Sequence, residues 1–400
     1  MQVYVPKTVY DGFVVESYVS IEGEVVAPPG KSFSFKPFEI SAKKVQLLAP
    51  SDADFAGRCP EGSTQDTQLT ERHLHLRTSS FAITTKLRAL LLKAFRDHFD
   101  GTGSTEITPP SFVGALCESG AHLFQLKHPG HAGHDDMDCW LTQSSQFYLE
   151  YALPGLGDTH CIAPSFRAEK SHTRRHLTEF LHVEAEYRSV LTMEDHYEKL
   201  RFLLKDVVER FYTLGRPWLA ELGLTEHVEG ILKLCDEIVI ISHREAIDYC
   251  RQHHIYKEES TQTHFDYTDD IPEMQERKMI DAIGKIVFLT HFPTETKSFY
   301  MLPDKDQPQV CFGVDVEVVG VGEIVGSGVR VFDGQQLLSQ LKYQHLDEKD
   351  YREYFDLRKY GAGRTSGCGV GFDRMFSWLM HQPSIRDVVT FPRYPGRVTP

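Results

Sequence analysis

What this chain lacks narrows it first. No uninterrupted apolar run in its 400 residues approaches the roughly 20 that a membrane-spanning helix needs. The N-terminus, MQVYVPKTVYDGF, has no basic stretch followed by an apolar core, so it does not read as a secretory signal. None of the eight cysteines forms a C-x-x-C pair. Structural thiols in a reducing compartment fit such a chain better than a disulfide scaffold. Positive charge is not in excess either: 43 Lys and Arg stand against 57 Asp and Glu, for a net charge of −14. Any nucleic acid must therefore be met by a local basic patch. There is no internal repeat, no low-complexity tract, and no serine–histidine or cysteine–histidine arrangement that calls for a covalent nucleophile. The expectation is a cytoplasmic enzyme.

What is present is ordinary in bulk, with 41% apolar and 25% charged residues, and long enough for two or three domains. Residues 13–24 alternate apolar and polar, Pro28-Pro29-Gly30 marks a turn, and 37–49 reads as a further strand pair. Residues 1–50 are thus a small all-β segment. Residues 51–69 are polar without periodicity and read as a linker, so the main body is placed at 70–400. There, Phe81, Leu87, Leu90, Leu91, Ala94 and Phe95 predict a helix over 81–99 that ends before Gly101 and Gly103, with a strand at 106–110. Thr192 followed by Asp195 opens a second helix, over 192–213. Helices and strands do not alternate regularly, so the fold class is α+β around a mainly antiparallel sheet.

The run SFRAEKSHTRRHLTEFLHVEAEY, residues 165–187, is the most informative. Alternation puts Arg167 and Glu169 on one strand face. It also puts Leu181, Val183, Ala185 and Tyr187 opposite His182, Glu184 and Glu186. Two antiparallel strands joined by a cationic loop suit a polyanion, and an exposed hairpin with solvated charges is the plain alternative. GCGVGFDRMFSWLM reads as a glycine-rich strand running into a helix, with Arg374 at the junction; Gly367, Gly369 and Gly371 would let the backbone approach a ligand. Asp315 and Glu323 lie in one strand-like run and suit a hard cation, although surface carboxylates look the same in sequence. His128, His131, His134, Asp135, Asp136 and Cys139 cluster in a glycine-containing stretch. We read it as a surface insertion rather than a transition-metal site, because the ligands do not sit on a rigid element.

The string R-A-E, then R-R-H-L, E-F and H-V-E-A-E, resembles motif 2 of the class II aminoacyl-tRNA synthetases, and within them the asparaginyl branch of eukaryotic cytosolic type. The 367–400 region resembles motif 3. The helix at 81–99 with Pro110 resembles motif 1, which in the family forms a homodimer interface. The likeness covers nearly the whole chain. It implies ATP and Mg²⁺ as cofactors, and L-asparagine and tRNA(Asn) as substrates. Arg167 would hold the α-phosphate and the amino-acid carboxylate, and Arg374 the γ-phosphate. Glu169, Phe180, Leu177 and Gly371 would surround the adenylate, and Arg175 and His176 would reach the outer phosphates and the tRNA end. Glu118 would meet the α-ammonium, and Gln143, Ser144 and Gln146 belong to an amino-acid-binding signature. Arg330 would read the side chain, and Asp315 and Glu323 would bind Mg²⁺ and ATP. Leu149 stands where the aspartyl branch carries a lysine, which argues for asparagine over aspartate.

This chain departs from the family in three places. Ser327 comes one position earlier than the family's serine. Thr365 stands for a histidine, and Ser366, bulkier than the family's glycine, is expected to alter the pocket floor. Residues 1–50 match only the later part of an OB-like anticodon-binding barrel. Two other readings stay open: an ammonia-using asparagine synthetase that needs no tRNA, and a non-catalytic synthetase-like binding protein.

Overall fold

A computed structural model describes residues 2–9, 12–28, 38–60, 62–114, 117, 123–128, 137–168, 173–361 and 363–399. The chain divides into two compact units between Thr78 and Ser79. The first holds a three-stranded sheet of β1 (Val3–Tyr4), β2 (Tyr18–Val26) and β3 (Glu39–Ala49) in the order β1-β3-β2. Residues 37–49 were expected to be a strand pair, but 39–49 form one continuous strand antiparallel to β2. Pro29 and Gly30 of the expected turn lie outside the described residues. The span read as a linker carries two short helices, α1 (Phe55–Arg58) and α2 (Gln65–Thr70), and α3 (Arg72–His75) follows. Thr64 caps α2 by accepting from Thr67 N at 3.3 Å. Helices of four and six residues are too short to show an apolar period, which is why the sequence reads as irregular there.

The second unit begins with α4 (Ser79–Thr102), β4 (Thr105–Glu106), β5 (Phe112–Val113), β6 (Gln125–His128), β7 (Met137–Leu141), α5 (Gln146–Leu156), β8 (Thr159–Phe166) and β9 (Glu179–Arg188). It continues through α6 (Met193–Glu221), α7 (Thr225–Leu234), β10 (Val239–Ser242), α8 (His243–Gln252), α9 (Glu273–Ile283), β11 (Val287–Pro293), β12 (Val310–Val318) and β13 (Gly322–Val329). It closes with α10 (Gly334–Tyr343), α11 (Arg352–Lys359), β14 (Thr365–Gly371) and α12 (Phe372–Leu379). Eight strands form one sheet, β10-β11-β12-β13-β14-β9-β8-β4. It is antiparallel except for the outer pairs β10–β11 and β4–β8. This is the expected α+β body around a mainly antiparallel sheet.

Two boundaries differ from the sequence reading. The capping box of Thr192 and Asp195 forms, but α6 runs on to Glu221 because its apolar face continues through Leu219. The strand expected at 106–110 is confined to 105–106, since Pro109 and Pro110 have no N–H to extend the ladder.

One face of the sheet is covered by helices. Leu87, Leu91, Phe95 and Phe99 of α4 and Leu203, Val207 and Phe211 of α6 pack on Val183, Ala185, Val316, Val325 and Val370 of the strands. His196 of α6 lies within this layer, fully buried, 3.0 Å by Nδ1 from Ser366 Oγ and 3.1 Å by Nε2 from Ser327 Oγ. Ser327 donates its own proton to the Val314 carbonyl at 2.6 Å. His196 Nε2 must therefore donate to Ser327, and Nδ1 accepts from Ser366. Two of the three departures from the family thus form one buried relay. Ser366 is not part of a pocket floor: it faces the helical layer.

Burial, with Arg330 adding to it, pushes the His196 imidazole down to about 3. The folded chain keeps this ring neutral where an unfolded chain would protonate it. Its contribution to stability is complete above about pH 6.5 and falls away as pH drops towards about 3. Relative to pH 7, the loss from this one ring is about 2 kcal/mol at pH 5. Urea unfolding of His196→Gln should show a smaller stability loss between those two pH values than the parent chain. Equal losses would contradict the assignment.

Candidate active site

The face of the sheet away from α4 and α6 carries the charge. Alternation along β9 turns Val183, Ala185 and Tyr187 into the core and His182, Glu184 and Glu186 into an open cavity. Gly367 and Gly369 of β14 pair with Glu186 and Glu184. A Cβ at Gly367 would fall on the Glu186 carboxylate, and one at Gly369 on the His182 ring. These glycines, expected to admit a ligand, make room for the neighbouring strand's charged side chains.

Two adjoining cavities, of about 90 Å³ and about 340 Å³, share Arg167, His182, Glu323, Gly326 and Gly369. The smaller is lined by Arg167, Arg175, His176, Leu177, Phe180, Glu323, Gly371 and Arg374. It gathers the residues that the sequence assigned to ATP except Asp315, which lines the larger cavity, and Glu169, which lies outside the described residues. Arg374, in the first turn of α12, donates from Nη1 to the Glu323 carbonyl and to Oε2, both at 3.1 Å. Arg175 is buried and donates to the same carbonyl at 3.3 Å. Its guanidinium passes over Gly322, where φ is +87° and a Cβ would stand 2.7 Å from Nη1, so only glycine fits. Arg167 follows β8 directly. Its amide donates to Thr178 O at 3.0 Å, its guanidinium carbon lies 5.6 Å from the Phe180 ring centroid, and its buried Nε has no hydrogen-bond partner. Asp373 anchors this corner by pairing with Arg88 of α4 and accepting from Leu181 N.

Glu323 is the main anion among these cations, and Glu273 lies 3.3 Å from Arg175 Nη1. Burial pushes its carboxyl up, but Arg374, Lys297, Arg167 and Arg175 outweigh burial and take it down to about 2. Asp315 accepts from Lys297 Nζ at 2.5 Å. Burial, opposed by Lys297 and reinforced by Glu323, raises Asp315 to about 6. Glu317 on the same strand face and Glu276 of α9 are pushed up by burial and by neighbouring carboxylates, Glu276 to about 8. Asp315 and Glu323 offer the hard oxygen ligands a divalent ion takes. Among the described residues no group of three or more His, Cys, Asp or Glu could hold a metal.

The larger cavity is lined by Ser144, Gln146, Arg167, Glu184, Glu186, Asp315, Glu323 and Arg330, with Lys297 and Tyr300. Glu118, the remaining amino-acid contact read from the sequence, lies outside the described residues, as do His131, His134, Asp135 and Asp136 and the His128 side chain. Glu184 accepts from Ser144 Oγ at 2.5 Å and Ser145 N at 2.8 Å. Arg330 grips Glu186 through two nitrogens, Nη2 at 2.5 Å and Nε at 3.3 Å. Its Nε is also 3.9 Å from Glu150, which Tyr354 OH and Arg358 hold at 2.8 and 2.9 Å. Two buried carboxylates thus share one guanidinium. They hold Arg330 firmly protonated, and its two-nitrogen grip opposes the upward push that burial gives the Glu186 carboxyl.

Leu149 is fully buried and is not among the lining residues; the charge that bears on Arg330 comes from Glu150 beside it. Gln143 is not on this cavity either, but on a separate one with Cys117 and Tyr151. Sequence reasoning gave no role to His182, Glu184 or Glu186, although their alternation already put them on the charged face. Glu150 and Lys297 carried no signal of their own.

Residues 64–395 match the family model for class II tRNA synthetases (D, K and N). The chain belongs to this family. Within it, the chain is 37% identical to the cytoplasmic asparagine–tRNA ligase of Dictyostelium discoideum, with 98% of the chain and 59% of the relative aligned. It is 38% identical to that of Saccharomyces cerevisiae, over 96% of the chain and 68% of the relative, and 37% identical to that of Homo sapiens, over 98% and 70%. Asparaginyl-tRNA synthetase from Entamoeba histolytica, solved with asparaginyl-adenylate, superposes with a TM-score of 0.85 at 30% identity, over 99% of this chain and 88% of that one. The Pyrococcus horikoshii enzyme in complex with asparaginyl-adenylate gives 0.85 at 31% identity, over 100% and 89%.

Neutralising Glu323 removes the carboxylate that Arg374 pairs with and leaves Glu273 as the ion-pair partner of Arg175. The Glu323→Gln chain should melt at least about 2 °C lower than the parent, and added pyrophosphate should raise its melting temperature more than the parent's. Equal pyrophosphate shifts in a thermal melt would show that Glu323 does not balance this cluster.

Proposed function

We propose that the chain is an asparagine–tRNA ligase: it activates L-asparagine with ATP and passes the asparaginyl group to tRNA(Asn). The observation that carries this reading is the meeting of Arg167 and Arg374 on one cavity, with Arg167 also lining the adjoining one. A guanidinium shared by both stands where an amino-acid carboxylate in the larger cavity would meet a phosphate in the smaller. The carboxylate attacks the α-phosphorus and pyrophosphate leaves. Such a step needs alignment and charge neutralisation rather than a side-chain nucleophile. Arg167 orients both reactants, and Arg374 and Arg175 meet the outer phosphates. Phe180, Leu177, His176 and Gly371 enclose the nucleotide, and Glu169 is assigned to its adenine end. Mg²⁺, held by Asp315 and Glu323, would add further neutralisation of the phosphates.

Asparagine is favoured over aspartate by the charge already in the larger cavity. Arg330 is met by Glu186 and Glu150, so a substrate carboxylate would find no free cation there and would face Glu184. A carboxamide can donate to a carboxylate and accept from a guanidinium at once. Ser144 and Gln146 line the same pocket, and Glu118 is assigned to the α-ammonium. Homodimerisation through α4 and Pro110, and action in the cytoplasm, complete the proposal. No observation favours the ammonia-using synthetase or the non-catalytic reading.

Amino-acid-dependent exchange of pyrophosphate into ATP tests this. Asparagine should support exchange at least about 100-fold better than aspartate. Arg167→Ala and Arg374→Ala should each cost about 100- to 1,000-fold. Aspartate serving as well as asparagine, or full activity in either variant, would refute the assignment.

A further inference from the structure

A second cavity lies apart from the catalytic one. A groove of about 850 Å³ opens past the carboxyl ends of the parallel strands β10 and β11, beside the N-terminus of α8. Ligands of sheets with parallel strands commonly lie beyond such strand ends. None of the residues assigned above to ATP or asparagine lines it. We propose that this groove binds an unpaired base of the RNA substrate, an inference that rests on the ligase reading.

Its lining mixes apolar surface with polar side chains and is nearly neutral, with one guanidinium, Arg244, and one carboxylate, Glu295. His243, the first residue of α8, is 3% exposed. Its ring donates to the backbone of Asp269, and burial keeps it neutral. Its Nε2 lies buried on the groove wall without a partner. An unsatisfied acceptor at that depth calls for a ligand N–H or O–H. An anion does not suit the helix terminus. Glu245 already closes the capping box on Ser242, so the first turn carries a carboxylate. A flat, neutral ligand with donors and acceptors on its edge suits the remaining walls. Gln307, Gln309, Gln336 and Gln340 each offer both functions. The Arg244 guanidinium lies 4.0 Å from the Tyr267 ring centroid, and Tyr343 is 56% exposed, which gives planar surfaces of the kind on which bases stack.

Position favours RNA over a free metabolite. Pro293, Thr294 and Glu295 form part of the groove wall, and Thr296, Lys297 and Ser298 line the asparagine cavity. One short turn, residues 294–296, separates the two. A strand end delivered to the adenylate thus passes close to this groove. For a chain with a net charge of −14, gripping bases offers an alternative to gripping phosphates.

Two measurements on the same protein test this, with an unmodified tRNA(Asn) transcript as the probe. Arg244→Ala combined with Gln340→Leu, and separately His243→Phe, should lower kcat/KM for tRNA charging roughly tenfold, mainly through KM for tRNA. Asparagine-dependent pyrophosphate exchange, which needs no tRNA, should stay within about twofold of the parent. Unchanged charging overturns the proposal, and so does exchange that falls in step with charging. A parent chain that exchanges no pyrophosphate with asparagine overturns the ligase reading and this inference together.

Discussion

Three guanidiniums meet in one small cavity, held there by the Glu323 carboxylate, with Glu273 adding a second anion 3.3 Å from Arg175. Arg167, Arg175 and Arg374 come from three separate places in the chain, and their mutual repulsion in a half-buried site would drive them apart. The Glu323 carboxylate accepts from Arg374, its backbone carbonyl accepts from Arg175, and the carboxylate feels the field of Arg167. Its carboxyl is held down at about 2, so the anion is present at every physiological pH. The cluster is therefore set before a polyphosphate arrives, and binding need not order it.

The sheet serves two chemistries because its strands alternate. On β9 one set of side chains builds the core with α4 and α6, and the other set lines the asparagine cavity. A one-residue slip in register would exchange them. The bare glycine stripe of β14 lets His182 and Glu186 lie across the neighbouring strand. Below the sheet, His196 ties β13 to β14 through two serines. Above it, Glu150 and Arg358 brace the guanidinium that Glu186 holds. Each charged group in the site is thus supported from a different element.

Much of this was legible in the sequence, and the reasons differ by residue. Alternation over 181–187 gave the strand and both its faces. Thr192 and Asp195 gave the start of α6, because a capping box is local. The spacing of Arg167 and Arg374 said nothing about their meeting; only the likeness to a known family brought them together. The helices at 55–58 and 65–70 were missed because one turn carries no period. Glu150 was overlooked in favour of Leu149: a helix turns about 100° per residue, so adjacent positions face different surroundings, and the charged neighbour is the one that reaches Arg330. Ser366 was expected at the pocket floor, but it shares with Ser327, which does line the larger cavity, a buried partner, His196, more than a hundred residues away in the chain. The groove beside α8 had no sequence signal at all, since glutamines and tyrosines scattered over residues 242–343 form no motif.

The most direct measurement is a crystal structure of the chain with ATP bound. The account predicts one nucleotide, with its triphosphate touched by the guanidiniums of both Arg167 and Arg374 and its base against Phe180. A nucleotide that reaches only one of the two arginines, or that settles in the groove beside α8 and leaves the Glu323 cluster untouched, would contradict it.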